Sequence, residues 1–530
     1  MTRVVLAGGR VVDGTGTPGR DADVVVADGR VTEVADPGRA EATGRRVDAT
    51  GLVVSPGFID MHAHSDLAVL ADPAHKAKAL QGVTTEVLGQ DGLSYAPVTD
   101  TTLPQLRAQL AGWNGTPDLD YGWRGVGEYL DRIDAGTPTN VAYLVPHGNV
   151  RMAVMGTEDR APTDADLTAM RSLVAEGMAD GAMGMSAGLT YTPGMYADDA
   201  EIVALLEPVR RAGGYYCPHH RNYGSRVVES YRECLEIARR AGVALHLAHC
   251  HVNFPRNQGR APEVLAAIDA AVRDHGLDVT LDSYPYLAAA TYLGALLPSR
   301  AHSGGTAAAI ARLRDPAERA RILYEVEVVG TDGNHGIPVD WDTVVVTGVT
   351  RPELSWAVGS SIRELADTHG REAAEVFADL LIKDEMGAGC LLRVGNEENV
   401  RTIMAHPAHT AGSDGILVGA KPHPRAWGTF PRYFETYVRE LGVLGLEECV
   451  RHMTSRPARR LGLRDRGVIR PGAAADITVF DPEAIASTAT YDNPRGTPEG
   501  IPHVLVNGEF TVRDGVRTGH LPGRSLRHRA

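Results

Sequence analysis

The sequence predicts an α/β fold: a TIM-type (β/α)8 barrel with a small β-sandwich domain formed by both chain termini. Apolar strand patterns alternate with helical patterns through the middle of the chain, which indicates a parallel sheet. Polar residues stand at the carboxyl ends of many of these strands, where barrels of this type place their functional sites. Both ends of the 530-residue chain carry short β-rich runs.

The predicted β domain combines residues 1–57 with residues 467–530. The first part contains VVLAGGRVVDG, ADVVVADGRVTEVA and LVVSPG, which are broken by Gly and Asp as strands with tight turns are. The second part shows the same pattern in ADITVFD and VLVNGEFTV. The pairing of the two parts in one domain is inferred from this shared pattern.

The predicted barrel spans residues 58–466. Its candidate strands are VTTEVLG, NVAYLVPHG, GAMGMSAG, GGYYCPHH, VALHLAHC, DVTLDSYPY and GILVGA. Helical stretches lie between them, and SRVVESYRECLEIARRAG ends in arginines followed by glycine, which is typical of a helix C-terminus. The segment at about 296–350 breaks the alternation, so we expect an insertion there that acts as a lid.

Composition and charge exclude several classes of protein. The chain has 67 acidic and 53 basic residues, a net charge of −14, which argues against nucleic acid as a partner. No run of 18 apolar residues is present, so no membrane association is expected. The 5 cysteines show no CxxC spacing and the N-terminus shows no secretory signal, which favours a cytoplasmic location. Length and charge do not indicate an oligomeric state.

The strongest local motif is PGFIDMHAHSD, in which an apolar strand ends in His62 and His64. Residues i and i+2 of a strand point to the same side, so the two imidazoles would converge on one point. Such a pair suits Zn²⁺ or a similar divalent ion. Two polar histidines in a loop are the alternative, but the preceding strand favours a metal site.

Further histidines and one carboxylate lie at the ends of later candidate strands. His219 and His220 close GGYYCPHH, and His249 and His251 close VALHLAHCH. Each alone could be a core or surface histidine, but their joint placement indicates one site. Asp414 lies in AGSDG, where it is either a turn residue or a carboxylate suited to act as general base and then general acid.

Taken together, these segments resemble the N-acyl-D-amino-acid deacylases, or D-aminoacylases, of the amidohydrolase superfamily. The resemblance runs nearly end to end and is carried by PGFIDMHAHSD, VTTEVLGQDGLSYAP, HGNVRMAVMG, GMSAGLTYTPGMYA, HHRNYG, HLAHCH, DSYPYLAAATYL, GSDG, HPRAWGTFPR and TSRPARRLGL followed by GVIRPGAAADITVFDP. The runs GLTYTPGMYA and HPRAWGTFPR are the most specific to the deacylases. The last element closes the small β domain throughout the superfamily.

The resemblance implies a set of site residues. The implied metal ligands are His62, His64, His219 and His249, with Asp91 as a further candidate. The implied catalytic residue is Asp414, on the eighth barrel strand. The implied substrate-binding residues are Tyr191, Arg221, His251 and Tyr284. The cofactor is expected to be Zn²⁺, as one or two ions, with other divalent metals also suited to such ligands.

Three departures from the family pattern bear on this site. Gln90-Asp91-Gly92 stands where the family often has Asn-Cys-Gly, so Asp91 either replaces a cysteine ligand or is a turn residue. His251 stands in place of a basic residue, as a weaker and titratable cation. Ala290, followed by Thr291, stands where a serine is common. The last two departures leave the contacts to a substrate carboxylate open.

The distribution of lysines excludes one kind of metal centre. Many superfamily members hold two metals with a carboxylated lysine on barrel strand four. This chain has no lysine between Lys78 and Lys383, and NVAYLVPHGNVR, taken as the strand-four region, contains none. A hydantoinase-like, lysine-bridged centre is therefore excluded by residue type. One tightly bound metal, or two metals bridged by Asp91, remain.

The resemblance implies hydrolysis of a small-molecule substrate, an N-acyl-D-amino acid, to a carboxylate and a free D-amino acid. A metal-bound hydroxide would be the nucleophile, and Asp414 would accept its proton and return it to the leaving nitrogen. The sequence shows no obvious second cation that could bind an acidic side chain, which favours neutral or hydrophobic D-amino acids as substrates. The positions of Arg425 and Arg432 relative to the site are not given by the sequence. Two alternatives stay open: a cyclic-amide hydrolase or deaminase on the same barrel, and a non-catalytic metal-binding protein.

Overall fold

A computed structural model describes residues 3–41 and 43–528 of the chain. Residues 1–2, 42 and 529–530, which the predicted β domain includes, lie outside the described residues. In the part of the chain that is described, no helix combines the length and apolarity that crossing a membrane requires.

The β domain is one sheet of nine strands drawn from both ends of the chain. The strands are β1 (Val4–Val11), β2 (Arg20–Ala27), β3 (Arg30–Ala35), β4 (Arg45–Asp48), β5 (Val53–Pro56), β17 (Ile477–Phe480), β18 (His503–Val506), β19 (Glu509–Arg513) and β20 (Val516–Arg517). Antiparallel pairing of β5 with β17 joins the two ends. Main-chain hydrogen bonds join Val31 of β3 to Gly472 and Ala473, and an apolar core contains residues from both ends of the chain.

Eight parallel strands form the barrel. They are β6 (Phe58–Asp60), β7 (Val83–Leu88), β8 (Asn140–Pro146), β9 (Gly184–Gly188), β10 (Tyr215–His219), β11 (Ala244–Leu247), β12 (Val279–Ser283) and β16 (His409–Ala411). The ring closes between the first and the eighth strand, where the Met61 N–H donates to the Ala411 carbonyl at 3.2 Å. Just beyond, the Asp414 N–H donates to the His62 carbonyl at 2.8 Å. The predicted fold class is therefore confirmed.

Helices connect the successive barrel strands. They are Ala68–Ala71, Lys76–Ala79, Thr102–Gln109, Ala111–Asn114, Val126–Asp134, His147–Met155, Asp164–Ala179, Asp199–Ala212, Val227–Ala241, Ala261–His275, Glu397–Met404, Arg425–Arg432, the π-helix Tyr433–Glu440, Leu446–Met453 and Ser455–Arg460. The helix Val227–Ala241 ends at Gly242, whose φ of +67° gives the left-handed C-terminal geometry that its sequence predicts.

An insertion with its own apolar core lies between β12 and β16. It contains the antiparallel strands β13 (Ala289–Tyr292), β14 (Val344–Gly348) and β15 (Gly389–Leu392), and the helices Thr306–Arg314, Pro316–Tyr324, Ile362–His369 and Ala373–Lys383. This unit is wider than the predicted 296–350. The prediction missed its outer parts because β15, near its end, pairs with β13, at its beginning. A lid role for the insertion stays a prediction.

Three further features differ from the sequence predictions. The segment NVAYLVP is the third barrel strand, and the fourth is β9, which likewise contains no lysine, so the exclusion of a lysine-bridged centre is unaffected. The run GILVGA forms no strand, because the eighth strand precedes it at His409–Ala411. The C-terminal tail leaves the predicted β domain, since Gly523 and Ser525 form bridges with Thr137 and Val141 on the barrel.

Candidate metal centre and active site

The carboxyl ends of five barrel strands bring six buried side chains to one place. These are His62 and His64 beyond β6, Asp91 beyond β7, His219 at the end of β10, His249 beyond β11, and Asp414 beyond β16. The structure thus brings together every predicted metal ligand and the predicted catalytic aspartate. Their ligand atoms form two groups, one of His62, His64, Asp91 and Asp414, the other of Asp91, His219 and His249.

Asp91 belongs to both groups because each of its carboxylate oxygens lies between two imidazoles. Its Oδ1 is 3.5 Å from Nε2 of His62 and 3.4 Å from Nε2 of His249. Its Oδ2 is 3.5 Å from Nε2 of His64 and 3.5 Å from Nδ1 of His219. This placement lets one carboxylate bind a single ion or bridge two ions.

The cluster fits a divalent cation. Nε2 of His62 and Oδ1 of Asp91, which lie 3.5 Å apart, are both buried without a hydrogen-bond partner among the described residues. Buried polar atoms ordinarily have a partner, and a metal ion bound between these residues would supply it. Imidazole and carboxylate ligands converging from several strands suit zinc, although a carboxylate is a harder and less zinc-selective ligand than a thiolate.

Neighbouring hydroxyl groups orient two of the histidines. The Nε2 atom of His219 is 2.7 Å from the Thr190 hydroxyl, which leaves Nδ1 facing Asp91. The Nδ1 atom of His249 is 2.8 Å from the Tyr223 hydroxyl, which leaves Nε2 facing Asp91. Burial lowers the pKa of His219 to about 4, although Asp91 acts in the opposite direction. Its imidazole is therefore neutral at pH 7 and keeps a lone pair for a metal.

Asp282, which the sequence reasoning did not single out, supports the ligands from behind. Its carboxylate accepts a hydrogen bond from the His249 N–H at 3.0 Å and lies 3.6 Å from Nδ1 of His62. Gly412 makes room for this contact, because a Cβ there would lie 2.6 Å from Oδ1 of Asp282. One feature of the sequence could have predicted this role: Asp282 lies at the end of the seventh strand, immediately before SYPY.

Three residues of the cluster hold backbone conformations that favour glycine. Asp91, His249 and Asp414 have φ values of +55°, +28° and +47°. Non-glycine residues in this region are strained, and they persist where the surrounding structure fixes them, often at functional sites.

A pocket opens over the cluster and contains three of the four predicted substrate-binding residues. Tyr191, His251 and Tyr284 line it, together with Ala290 and Thr291. The Tyr191 hydroxyl is 3.2 Å from the Thr291 hydroxyl. Burial, with repulsion from His249 and Arg425, lowers the pKa of His251 to about 3. The sequence predicts a titratable cation at this position, but the imidazole is neutral at pH 7.

Arg221, the fourth predicted substrate-binding residue, does not line the pocket, and this expectation is corrected. Its Nε donates to Glu233 at 2.5 Å and its Nη2 donates to the Ala197 carbonyl at 2.7 Å. The guanidinium is therefore bound within the protein. The motif HHRNYG placed it beside His219, but the chain turns it outward after the strand ends. The neighbouring His220 also turns away and lies 3.1 Å from the Ser230 hydroxyl.

Arg425, which the sequence does not place, lies next to Asp414 and Tyr284. It is fully buried, its Nη2 lies 2.9 Å from Oδ2 of Asp414, and its guanidinium stacks over the Tyr284 ring at 4.4 Å. Its Nε and Nη1 have no hydrogen-bond partner among the described residues. Arg432 of the same motif instead donates to the Pro285 carbonyl. Arg425 does not line the pocket itself, but Asp414 and Tyr284, which it contacts, do, so its charge lies directly behind the pocket wall.

Comparison with known proteins identifies the family to which the chain belongs. A model of the amidohydrolase family matches residues 45–512. A D-aminoacylase and an N-acyl-D-glutamate deacylase of Alcaligenes xylosoxydans xylosoxydans are each 36% identical, and each match covers 99% of this chain and 97% of the relative. The crystal structure of the N-acyl-D-glutamate deacylase of Bordetella bronchiseptica, complexed with zinc and a phosphonate inhibitor that mimics the tetrahedral intermediate, has a TM-score of 0.85 at 34% identity and covers 99% of both chains.

The fold and the site together define a barrel hydrolase built to bind divalent metal. The chain belongs to the amidohydrolase family, and within it to the group of the D-aminoacylases and N-acyl-D-amino-acid deacylases. The resemblance inferred from the sequence is thereby confirmed.

Proposed function

We propose that the protein hydrolyses N-acyl-D-amino acids with neutral or hydrophobic side chains to a carboxylate and a free D-amino acid. The observation that carries this proposal is the placement of Asp414, which lies 3.2 Å from Nε2 of His64 and 2.9 Å from Nη2 of Arg425. A proton-transfer group and a candidate anchor for a substrate carboxylate thus meet beside the metal ligands. The relatives named above act on N-acyl-D-amino acids, which supports the substrate class and its handedness.

Zinc would be held by His62, His64, Asp91, His219 and His249, and when bound it activates water and polarises a carbonyl group. Asp414 is placed to move the proton of the reaction. As the oxygen of water forms its bond to the acyl carbon, Asp414 accepts the proton, and it delivers that proton to the nitrogen as the C–N bond breaks. Its role thus changes from base to acid within one turnover.

Arg425 and Tyr284 are the proposed binding site for the α-carboxylate of the substrate. Nε and Nη1 of Arg425 have no hydrogen-bond partner among the described residues, so either can donate a charge-assisted hydrogen bond to a carboxylate. Tyr191 and Thr291 offer hydroxyl groups to other polar atoms of the substrate. Burial, reinforced by Asp91, raises the pKa of Tyr191 well above its usual range, so its hydroxyl stays protonated and can donate.

Apolar residues in the pocket lining support the preference for neutral side chains. They are Phe254, Ala295, Leu296, Leu392 and Val394. Among the described residues that line the pocket, none is a lysine or an arginine. If Arg425 binds the α-carboxylate, an acidic side chain would be buried here without a cation. Such an unpaired charge is costly, so discrimination of at least ~100-fold is expected.

The test is amine release from a matched panel of N-acetyl-D- and N-acetyl-L-amino acids with zinc-loaded protein. The panel contains leucine, methionine and phenylalanine with glutamate and aspartate. Turnover of D-leucine, D-methionine or D-phenylalanine derivatives at least ~100-fold faster than the acidic and L derivatives is the expected result. Preference for D-glutamate would overturn the assigned side-chain class. Turnover of hydantoins or nucleobases alone would overturn the assigned reaction.

A further inference from the structure

A buried lysine joins the first and the eighth barrel strand beneath the metal cluster. Lys78, on the short helix Lys76–Ala79, is fully buried. Its Nζ donates to Oδ2 of Asp60 at 2.6 Å and to the Ser413 hydroxyl at 2.7 Å. Asp60 ends β6, and Ser413 follows β16. One ammonium group therefore bridges the two strands between which the barrel closes.

Asp60 and Ser413, the hydrogen-bond partners of the Lys78 ammonium group, are bonded to the main chain that carries the site. Oδ1 of Asp60 accepts hydrogen bonds from the Ser413 N–H at 2.8 Å and the His62 N–H at 3.2 Å. The Ser413 hydroxyl donates to Oδ2 of Asp60 at 2.6 Å. His62 lies two residues after Asp60, and Asp414 directly follows Ser413. Any shift of this network would move a metal ligand and the proton-transfer residue relative to each other.

Stability alone does not account for an ion pair at this place. Well-packed apolar side chains of similar volume are often as stabilising as a buried ion pair, because desolvation of the charges offsets their attraction. An ammonium group with fixed partners, however, defines distances and directions that apolar packing does not. Groups behind metal ligands commonly tune a site in this way, and their loss costs about 10- to 100-fold in metal affinity or activity.

We propose that Lys78 is a positioning residue that, through Asp60 and Ser413, sets the position of His62 relative to Asp414. It touches neither substrate nor metal in this role. The kinetic part of the proposal rests on the proposed function, whereas the metal-binding part rests only on the ligand cluster.

The test compares Lys78→Met with Lys76→Met. Lys76 lies on the same helix but is exposed, so its substitution is a matched control. We expect Lys78→Met to weaken zinc binding, measured by competition with a chromophoric chelator, by about 10- to 100-fold. At saturating zinc, kcat is expected to fall by a similar factor while KM for the best N-acetyl-D-amino acid changes little. Lys76→Met should leave all three quantities unchanged.

Ser413→Ala is the second variant, because it keeps the Lys78–Asp60 pair and removes only the bridging hydroxyl. Thermal unfolding and circular dichroism show whether Lys78→Met folds. If it does not fold, Ser413→Ala tests the positioning role in its place. A smaller loss in zinc affinity and kcat, again with KM unchanged, supports the positioning role. A folded Lys78→Met, or failing that Ser413→Ala, with wild-type zinc affinity and kcat overturns it.

The two proposals fail in distinguishable ways. If the unaltered protein hydrolyses no N-acyl-D-amino acid, the proposed function is wrong. The zinc competition of Lys78→Met against Lys76→Met still tests the positioning role in that case, because it needs no substrate.

Discussion

Arg425 and Asp414 form a buried ion pair at the base of the pocket, with Nη2 of the arginine 2.9 Å from Oδ2 of the aspartate. Oδ1 of the same aspartate faces Nε2 of His64 at 3.2 Å. Burial alone would raise the pKa of Asp414, but Arg425 and the surrounding histidines outweigh it and hold the pKa below its usual range. Asp414 is therefore ionised at neutral pH, as a proton acceptor must be.

The first prediction tests Arg425 as the binding site for the α-carboxylate. Arg425→Met should lower kcat/KM for N-acetyl-D-leucine about 10- to 100-fold more than for N-acetyl-D-leucinamide, because only the acid has a carboxylate to bind. The ratio of the two values removes any effect on Asp414 that both substrates share. Arg432→Met, in the same motif, is the control. An equal loss for acid and amide would show that Arg425 acts on Asp414 alone.

The second prediction concerns proton transfer by Asp414. Asp414→Asn keeps the shape of the side chain but removes the base, so kcat should fall by about 10²- to 10⁴-fold. Zinc content per chain, measured by mass spectrometry, should stay the same because four histidines and Asp91 remain. Near-normal turnover by a zinc-loaded Asp414→Asn protein would rule out the assigned role.

The third prediction tests whether Asp91 is shared between two metal positions. Asp91→Asn should weaken zinc binding by about 10- to 100-fold and lower the number of ions bound per chain, because both ligand groups lose a charged oxygen. Asp91→Cys should restore zinc binding but reduce activation by Mn²⁺, since a thiolate is a softer ligand. Unchanged stoichiometry and affinity in Asp91→Asn would mean that Asp91 is a turn residue only.

Much of the metal-ligand cluster could be predicted because its residues lie in short sequence motifs at the ends of strands. His62 and His64 lie two positions apart at a strand end, and strand alternation alone puts them on one side. His219, His249 and Asp414 end later strands of one parallel sheet, whose carboxyl ends meet at one rim. The barrel and the pairing of the two chain ends follow from the same periodicity.

The rest depends on contacts between distant parts of the chain. Arg221 looked suited to bind a carboxylate, but Glu233 from the following helix pairs with it. Arg425 lies beside Asp414 because the helix after the eighth strand passes this aspartate, which no local spacing reveals. The insertion is wider than the predicted 296–350 because its antiparallel pairing joins β13 to β15 across almost 100 residues of chain.

The last prediction concerns stability in acid. Glu86 on β7 is buried, and its Oε1 lies 2.7 Å from Nε2 of His75. Burial acts to raise the pKa of Glu86, but His75 and Lys78 outweigh it and lower the pKa from its ordinary value of 4.5 to about 2. A carboxyl group with a lowered folded-state pKa stabilises the protein above its unfolded-state pKa, and this contribution is lost as the pH falls through the folded-state value.

We therefore expect Glu86→Gln to remove about 3 kcal/mol from the free energy of unfolding at pH 7, as the shift of the Glu86 pKa implies. The decline of stability between pH 4.5 and about 2 should be correspondingly shallower in this variant than in the unaltered protein. Urea unfolding at a series of pH values measures both effects. Glu33→Gln, at an exposed position on β3, is the control and should follow the unaltered protein throughout. If Glu86→Gln loses stability with the same slope as that control, the buried Glu86 carboxylate is not the source of the acid dependence.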